Sequence, residues 1–201
     1  MEIYLIRHTS PLVEKGICYG QTDLDVTETF LSEASEIKAF LPSSIHHVYS
    51  SPLQRCAKLA KELFPQINIE WQNDLMELHC GSWEMQYWDD IPKPEIQPWL
   101  EDYIHTIVPG GESYLQLYQR VINRFETICA NEQSIAIVAH GGVLRSILAH
   151  IADIPLKDAF SVFHLHYGAV VKIIAGTNKY SYELLHNIVP ALKEQHRPSF
   201  T

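Results

Sequence analysis

The sequence predicts an α/β protein, built as a three-layer α/β/α sandwich around a mostly parallel sheet, with a small helical insertion. Two observations lead to this fold class. Short apolar runs, such as residues 3–6 and 135–139, are typical of strands buried on both faces of a sheet. Segments with apolar residues at helical spacing, such as 114–128, alternate with these runs. Strands that alternate with helices form parallel sheets that are covered by helices on both sides.

Two strand–helix pairs are expected in the N-terminal part of the chain. After the first strand, apolar residues recur at helical spacing from Thr27 onward, and Thr27 is the expected N-cap. Residues 48–49 indicate a second strand. The next helix is expected to start at Ser51, directly before Pro52, with Gln54 completing a capping box.

The rest of the chain continues this alternation, apart from one irregular segment. Residues 84–111 are interpreted as a short-helix insertion, or lid over the site, because prolines and tryptophans punctuate this part of the chain. The tryptophan rings either stack on a substrate or anchor the short helices, and the sequence favours neither alternative. The elements after the insertion are expected to be a helix at 114–128, a strand at 135–139, a helix at 144–151, a strand at 170–174 and an edge strand at 180–185.

Length, charge and hydropathy limit the class of protein. The chain has 201 residues, which suits a single domain spanning residues 1–201. Its formal net charge of −9 argues against a broad nucleic-acid-binding face, although a few cations in a cleft could still bind a small anion. Apolar stretches are too short to span a membrane, and the N-terminal run ends at Arg7, too early for a signal peptide. We therefore expect a cytoplasmic protein without membrane or nucleic-acid partners, and a homodimer remains open.

Cationic or imidazole side chains follow three of the predicted strands. Arg7 and His8 end the first strand, Arg55 lies on the first turn of the helix after the second, and His140 follows the third. In open α/β sheets, ligands bind beyond the carboxyl ends of the strands, where helix N-termini also point. Because guanidinium groups meet phosphate oxygens in two-point contacts, the sequence predicts a phosphate site at this edge.

The chemistry expected at this site is nucleophilic attack on phosphorus by His8. The sequence has neither a glycine-rich phosphate loop nor an evident set of Mg²⁺ ligands, and neighbouring guanidiniums favour the neutral, nucleophilic imidazole. Glu77 and Glu84 are the candidate general acids, and Glu77, which precedes the tryptophan-rich segment, is preferred. No metal or other cofactor is expected, since the alternating pair His164 and His166 has no third ligand nearby.

Five segments of the chain carry a recognisable pattern. They are Arg-His-Thr at 7–9, Ser-Pro-Leu-Gln-Arg at 51–55, Leu-Met-Glu at 75–77 with Gly-Ser-Trp-Glu at 81–84, Pro-Gly-Gly-Glu-Ser at 109–113 and Val-Ala-His-Gly-Gly at 138–142. Their identity and order resemble the histidine phosphatase superfamily, also called phosphoglycerate mutase-like. The resemblance implies that His8 becomes a phosphohistidine and that Glu77 protonates the leaving group and then assists water. It implies that the phosphoryl oxygens are bound by Arg7, Arg55, His140 and Gly141.

One departure from the common pattern of this family is informative. Thr9 stands where glycine is commonest, and Arg-His-Thr-x-Pro followed by Cys-Tyr-Gly-Gln-Thr-Asp at 18–23 resembles the α-ribazole phosphatase branch. That resemblance implies removal of the 5′-phosphate from a nucleotide-loop intermediate of cobalamin assembly. Gln21 and Thr22 are expected to reach the phosphate from this loop.

Three alternatives stay open at this point. The first is a histidine phosphatase of broad specificity, and the second is a cofactor-dependent phosphoglycerate mutase on the same scaffold. The third is a non-catalytic module that binds phosphorylated ligands. In each case the partner is a small-molecule phosphate ester.

Overall fold

The computed structural model describes residues 1–130, 134–176, 179–189 and 194–199. These residues form a six-stranded sheet whose strands are β1 (Glu2–Arg7), β2 (His47–Ser50), β3 (Ile69–Trp71), β4 (Ile135–Ala139), β5 (Val170–Ala175) and β6 (Tyr180–His186). The strand order is β3-β2-β4-β1-β5-β6. The first four strands in this order run parallel, whereas β5 is antiparallel to both of its neighbours. The mostly parallel sheet is therefore confirmed, while the short strand β3 had no clear signal in the sequence.

Helices cover both faces of the sheet because side chains alternate along β1. Tyr4 and Ile6 pack into a core with α1 (Phe30–Lys38) and α2 (Gln54–Leu63). Ile3 and Leu5 pack into a second core with α4 (Tyr114–Cys129), α5 (Gly141–Ile151) and α6 (Ala159–Val162). This is the expected three-layer sandwich. Among the described residues, no helix is long and apolar enough to cross a membrane.

Two expected helix starts are wrong. Helix α1 begins at Phe30 with Thr29 at the N-cap position, and the hydroxyl of Thr27 bonds to that of Thr29 instead of capping the helix. Helix α2 begins at Gln54, whose side chain donates to Asp23, so the capping box does not form. Both segments also begin with contacts to distant residues that local spacing does not reveal, since the Thr27 N–H donates to the Ser10 carbonyl and the Gln54 N–H to Asp23.

The segment between Gly81 and Gly111 is a closed insertion with irregular structure. It contains two 3₁₀ turns (Gly81–Trp83 and Trp88–Asp90) and α3 (Lys93–Glu101). Its two ends meet, because the Ser82 N–H donates to the Pro109 carbonyl at 2.8 Å. Gly81 has φ +47°, and a Cβ there would lie 2.1 Å from that carbonyl oxygen. Glycine is thus required where the insertion leaves the main body.

Candidate active site

The register of neighbouring strands brings the predicted residues together. Arg7 pairs with Ala139 across β1 and β4, and the His8 N–H donates to the Ala139 carbonyl at 3.0 Å. His8 and His140 are thus the next residues along two parallel, adjacent strands. Their ring centroids lie 5.1 Å apart. The expected convergence at the carboxyl edge of the sheet follows directly from this register.

His8 is held as a neutral imidazole with one free nitrogen. Its Nδ1 lies 2.7 Å from the carbonyl oxygen of Thr9, and because a carbonyl only accepts, Nδ1 carries the proton and Nε2 keeps its lone pair. Burial, together with the positive charges of Arg55 and Arg7, holds the pKa of His8 well below its usual range. A neutral ring with a free Nε2 is the form that acts as a nucleophile.

Arg7 lies in the wall of the cavity and binds a carboxylate from the C-terminal segment. Its Nη2 donates to Glu194 Oε2 at 2.7 Å, and its Nη1 donates to Glu194 Oε1 at 3.1 Å and to the Leu165 carbonyl at 2.6 Å. Burial alone would raise the pKa of Glu194, but His196 and Arg7 outweigh it and hold that pKa far below the usual range. This two-point contact is the one a phosphoryl group would make with the same guanidinium. Sequence reasoning missed Glu194, which lies 187 positions from Arg7 without a local signal.

Arg55 and His140 lie behind His8 and do not line the cavity. The Nη1 and Nη2 of Arg55 donate to the carbonyls of Thr22 and Gly20, at 2.8 and 2.6 Å. His140 Nε2 lies 2.8 Å from Ser51 Oγ, and burial and Arg55 hold its pKa well below the usual range. The structure thus places both residues at the nucleophile, while their direct contact with phosphate stays a prediction.

Glu77 lines the cavity, and its carboxylate is bound to the N-terminus of α5. Its Oε2 accepts from the Gly142 N–H at 3.0 Å, and its Oε1 accepts from the Leu78 N–H at 2.9 Å. A Cβ on residue 142 would lie 2.3 Å from Glu77 Oε1, so only glycine lets the carboxylate approach this closely. Glu77, Arg7, His8 and Gly141 all line the same cavity.

Glu84 is occupied by backbone groups. Its carboxylate accepts from the N–H groups of Gly20, Gln21 and Thr22 and from the Thr22 hydroxyl. Burial would raise the pKa of Glu84, but the bonds from Thr22 and this backbone together hold it below its usual value. Glu84 therefore fixes the loop that supplies the acceptors for Arg55. Gln21 donates to the Glu77 carbonyl at 3.1 Å and does not line the cavity, nor does Thr22, so their contact with phosphate stays a prediction.

The cavity has a volume of about 320 Å³ and an aromatic wall. The wall is formed by Trp88, Trp99, Tyr103 and Phe160. The sequence did not point to Arg145, which also lines the cavity, with its guanidinium 4.6 Å from the centroid of the Phe160 ring. Arg145 lies four residues after Gly141 on the same helix, and this spacing, which places both residues on one face, could have identified Arg145 from the sequence. Within residues 1–130, 134–176, 179–189 and 194–199, no cluster of three or more His, Cys, Asp or Glu suits a metal ion.

Comparisons with known proteins agree on a phosphatase family. A family model described as "Histidine phosphatase superfamily (branch 1)" matches residues 3–188. The metal-independent phosphoserine phosphatase of Arabidopsis thaliana is 32% identical over 182 residues, which cover 82% of this chain and 76% of that protein. Phosphoserine phosphatase 1 of Hydrogenobacter thermophilus is 25% identical over 170 residues, covering 80% of this chain and 81% of that protein. The solved α-ribazole phosphatase of Shigella flexneri shares the fold, with a TM-score of 0.82 and 22% identity over 99% of this chain and 98% of that one.

The charge state of His8 can be measured directly. In protein labelled with ¹⁵N-histidine, we expect His8 to stay neutral and protonated on Nδ1 at pH values well below 6.5, because burial and two cations oppose protonation. Replacing Arg55 with Met removes one cation and should raise the pKa of His8. Arg124→Met is the control and should leave that pKa unchanged, because Arg124 is half-buried on α4, pairs with Asp74 and does not line the cavity. A wild-type His8 that titrates at or above 6.5 would contradict the assignment.

We expect Glu194 and a phosphoryl group to compete for the Arg7 guanidinium, because Glu194 already occupies its two-point contact. We expect Glu194→Gln to tighten the binding of inorganic phosphate roughly tenfold, which corresponds to about 1.4 kcal/mol. Calorimetric titration of wild type and variant measures this change. Glu62→Gln, in the last turn of α2, changes the net charge equally and serves as the control. Weaker phosphate binding in Glu194→Gln would show instead that Glu194 holds Arg7 in its binding orientation.

Proposed function

The chain belongs to the histidine phosphatase superfamily and is a phosphoric monoester hydrolase, and we propose that it acts through a phosphohistidine formed on His8. One observation carries this proposal. The imidazole of His8 is neutral, its Nδ1 is bonded to the Thr9 carbonyl, and it lines the same cavity as Arg7 and Glu77. A nucleophile, a phosphate-binding cation and an acid therefore meet where a monoester can enter.

The reaction proceeds in two displacements. His8 Nε2 attacks phosphorus, the bond from phosphorus to the ester oxygen breaks, and Glu77 transfers its proton to the departing alkoxide. Water then attacks the phosphohistidine, Glu77 takes a proton from that water, and the bond between nitrogen and phosphorus breaks to release inorganic phosphate. Arg7, Arg55 and the N-terminus of α5 stabilise the charge on the transferring phosphoryl group. His140 and Gly141 complete its surroundings.

For the substrate we propose α-ribazole 5′-phosphate, which would place the enzyme in the assembly of the cobalamin nucleotide loop. The aromatic wall of the cavity supports this choice, because Trp88, Trp99 and Tyr103 offer apolar surface to a flat heterocyclic leaving group. The cavity volume of about 320 Å³ lies within the range of small-molecule sites. The segment 18–23 of the sequence supports the same branch.

A second candidate substrate is phosphoserine. At least three relatives carry that substrate in their names, one of them 32% identical to this chain. Arg145 gives a physical reason to consider it, since its guanidinium in the cavity wall suits the carboxylate of an amino acid. The cytoplasmic location, the homodimer and the movement of residues 84–111 as a lid stay predictions.

Phosphate release in EDTA from a panel of esters tests the proposal. The panel compares α-ribazole 5′-phosphate with phosphoserine, 3-phosphoglycerate, nucleotides and sugar phosphates. We expect the highest kcat/KM for the ribazole ester and an acid-labile phosphoenzyme on rapid quenching, which His8→Ala abolishes. A preference for phosphoserine would replace the substrate but keep the mechanism. Slow release from every ester would favour a phosphatase of broad specificity. A retained phosphoenzyme that phosphorylates phosphoglycerate would favour a mutase. Absence of turnover would favour a binding module.

Gly142 controls where the Glu77 carboxylate lies. In Gly142→Ala the new methyl group would occupy the space of Glu77 Oε1, so we expect kcat to fall roughly 100-fold, within the range attributed to general acid catalysis. Alanine favours helix over glycine by up to about 1 kcal/mol, so loss of α5 would not explain that fall. Steady-state kinetics and thermal unfolding measure the two effects. An unchanged kcat would show that catalysis does not need Glu77 at this helix end.

A further inference from the structure

Arg120, on the second turn of α4, directs three side-chain N–H groups at the backbone that leads to Glu77 and the other two at the Glu112 carboxylate. Its Nη1 donates to the carbonyls of Asp74 and Met76, both at 2.8 Å. Its Nη2 donates to the Glu77 carbonyl at 2.9 Å and to Glu112 Oε1 at 2.6 Å, and its Nε donates to Glu112 Oε2 at 3.1 Å. Each of the five N–H groups of the guanidinium therefore donates to its own oxygen acceptor.

Glu112 extends this contact to the other side of Glu77. The same Oε1 that accepts from Arg120 also accepts from the His79 N–H at 2.9 Å. The Glu112 N–H in turn donates to the His79 carbonyl at 3.1 Å. The backbone is therefore held at Met76 and Glu77 on one side and at His79 on the other. We call this arrangement of Arg120 and Glu112 the loop clamp.

The loop clamp joins an irregular loop to a rigid helix. Helix α4 starts with a complete capping box between Ser113 and Gln116, and Leu117 and Val121 on either side of Arg120 in sequence are fully buried. Loop residues 76–80 form neither helix nor strand, so their own backbone does not fix their position. Precise placement of a catalytic group depends on such support, since a displacement of about 1 Å can cost on the order of 100-fold in rate.

We infer that Arg120, together with Glu112, is a positioning residue that sets where the Glu77 carboxyl meets the leaving group. The inference rests on the proposed function of Glu77 as the general acid. The loop clamp contacts only backbone around Glu77 and leaves the carboxylate free to face the cavity. Its loss would displace the acid without removing the nucleophile or Arg7.

The dependence on the leaving group separates positioning from a merely structural role. An aliphatic alkoxide needs a proton as it leaves, whereas p-nitrophenolate leaves readily without one. A displaced acid therefore slows the hydrolysis of aliphatic esters and spares p-nitrophenyl phosphate. A general loss of folded enzyme would lower both activities equally.

The experiment compares kcat for an aliphatic phosphate ester and for p-nitrophenyl phosphate in four variants. Arg120→Lys and Glu112→Gln each weaken the loop clamp, and Glu77→Gln removes the acid. Arg124→Lys, one turn further along α4, is the matched control, because Arg124 bonds only to the Asp74 side chain among the described residues. For Arg120→Lys and Glu112→Gln we expect kcat to fall roughly 10- to 100-fold on the aliphatic ester and less than about twofold on p-nitrophenyl phosphate.

The outcomes distinguish the inference from the function on which it rests. If Glu77→Gln lowers the activities on the aliphatic ester and on p-nitrophenyl phosphate equally, or lowers neither, Glu77 is not the general acid. The proposed mechanism is then wrong in its assignment of the acid. If Glu77→Gln shows the selective loss while Arg120→Lys and Glu112→Gln do not, the acid role stands and the positioning role is wrong. A selective loss in Arg124→Lys as well would attribute the effect to α4 as a whole and overturn the inference.

Discussion

The site depends on two buried guanidiniums beside one neutral imidazole. A buried cation needs acceptors, because leaving it unpaired costs on the order of several kcal/mol. Arg7 is compensated by a carboxylate, Glu194, whereas Arg55 donates to the carbonyls of the 20–22 loop. Since neutral carbonyls satisfy hydrogen bonds without cancelling charge, the positive charge of Arg55 still acts on His8. That charge and burial together keep the ring unprotonated. Burial thus makes the largest contribution to the neutral state of the nucleophile, and the guanidiniums of Arg55 and Arg7 add to it.

Glu77, Glu84 and Glu112 all accept bonds from backbone N–H groups near the site, but they differ in whether they reach the cavity. Glu84 gathers the N–H groups of the 20–22 loop and so fixes the carbonyls that bind Arg55. Glu112 holds His79 and Arg120. Only Glu77 of these three lines the cavity. Loops that carry catalytic groups lack the regular backbone hydrogen bonds of helices and strands. Here the carboxylates of Glu84 and Glu112 bind the loop N–H groups instead and so hold the loops in place.

The parts of this site that could be predicted from the sequence are those fixed by strand ends. Arg7, His8 and His140 follow buried apolar runs, and parallel pairing of those runs places them at one edge whatever the loops do. No comparable rule predicts from the sequence where a side chain on a loop will lie. Glu77 and Glu84 could not be separated by physical argument until their partners were seen, and Glu194 meets Arg7 through a contact that spans nearly the whole chain. The start of α2 was misjudged for a related reason: Gln54 bonds to Asp23, far from it in sequence.

Trp88 and Trp99 of the insertion belong to a buried apolar cluster and also line the cavity, and this has a consequence for specificity. Trp88 and Trp99 stack at a centroid distance of 5.7 Å and line the cavity, yet only 6% and 7% of their surfaces are exposed. Because the two rings stack on each other within a buried cluster, they leave no space for a leaving group between them. They offer it a fixed wall, whose position depends on the closed ends of the insertion at Ser82 and Pro109. On the proposed function we therefore expect selection at this wall to be by shape, with Arg145 adding a positive charge at its border. A flat, neutral heterocycle would gain from the wall and a small amino acid ester from the charge, so we expect the balance of these two interactions to decide between the two proposed substrates.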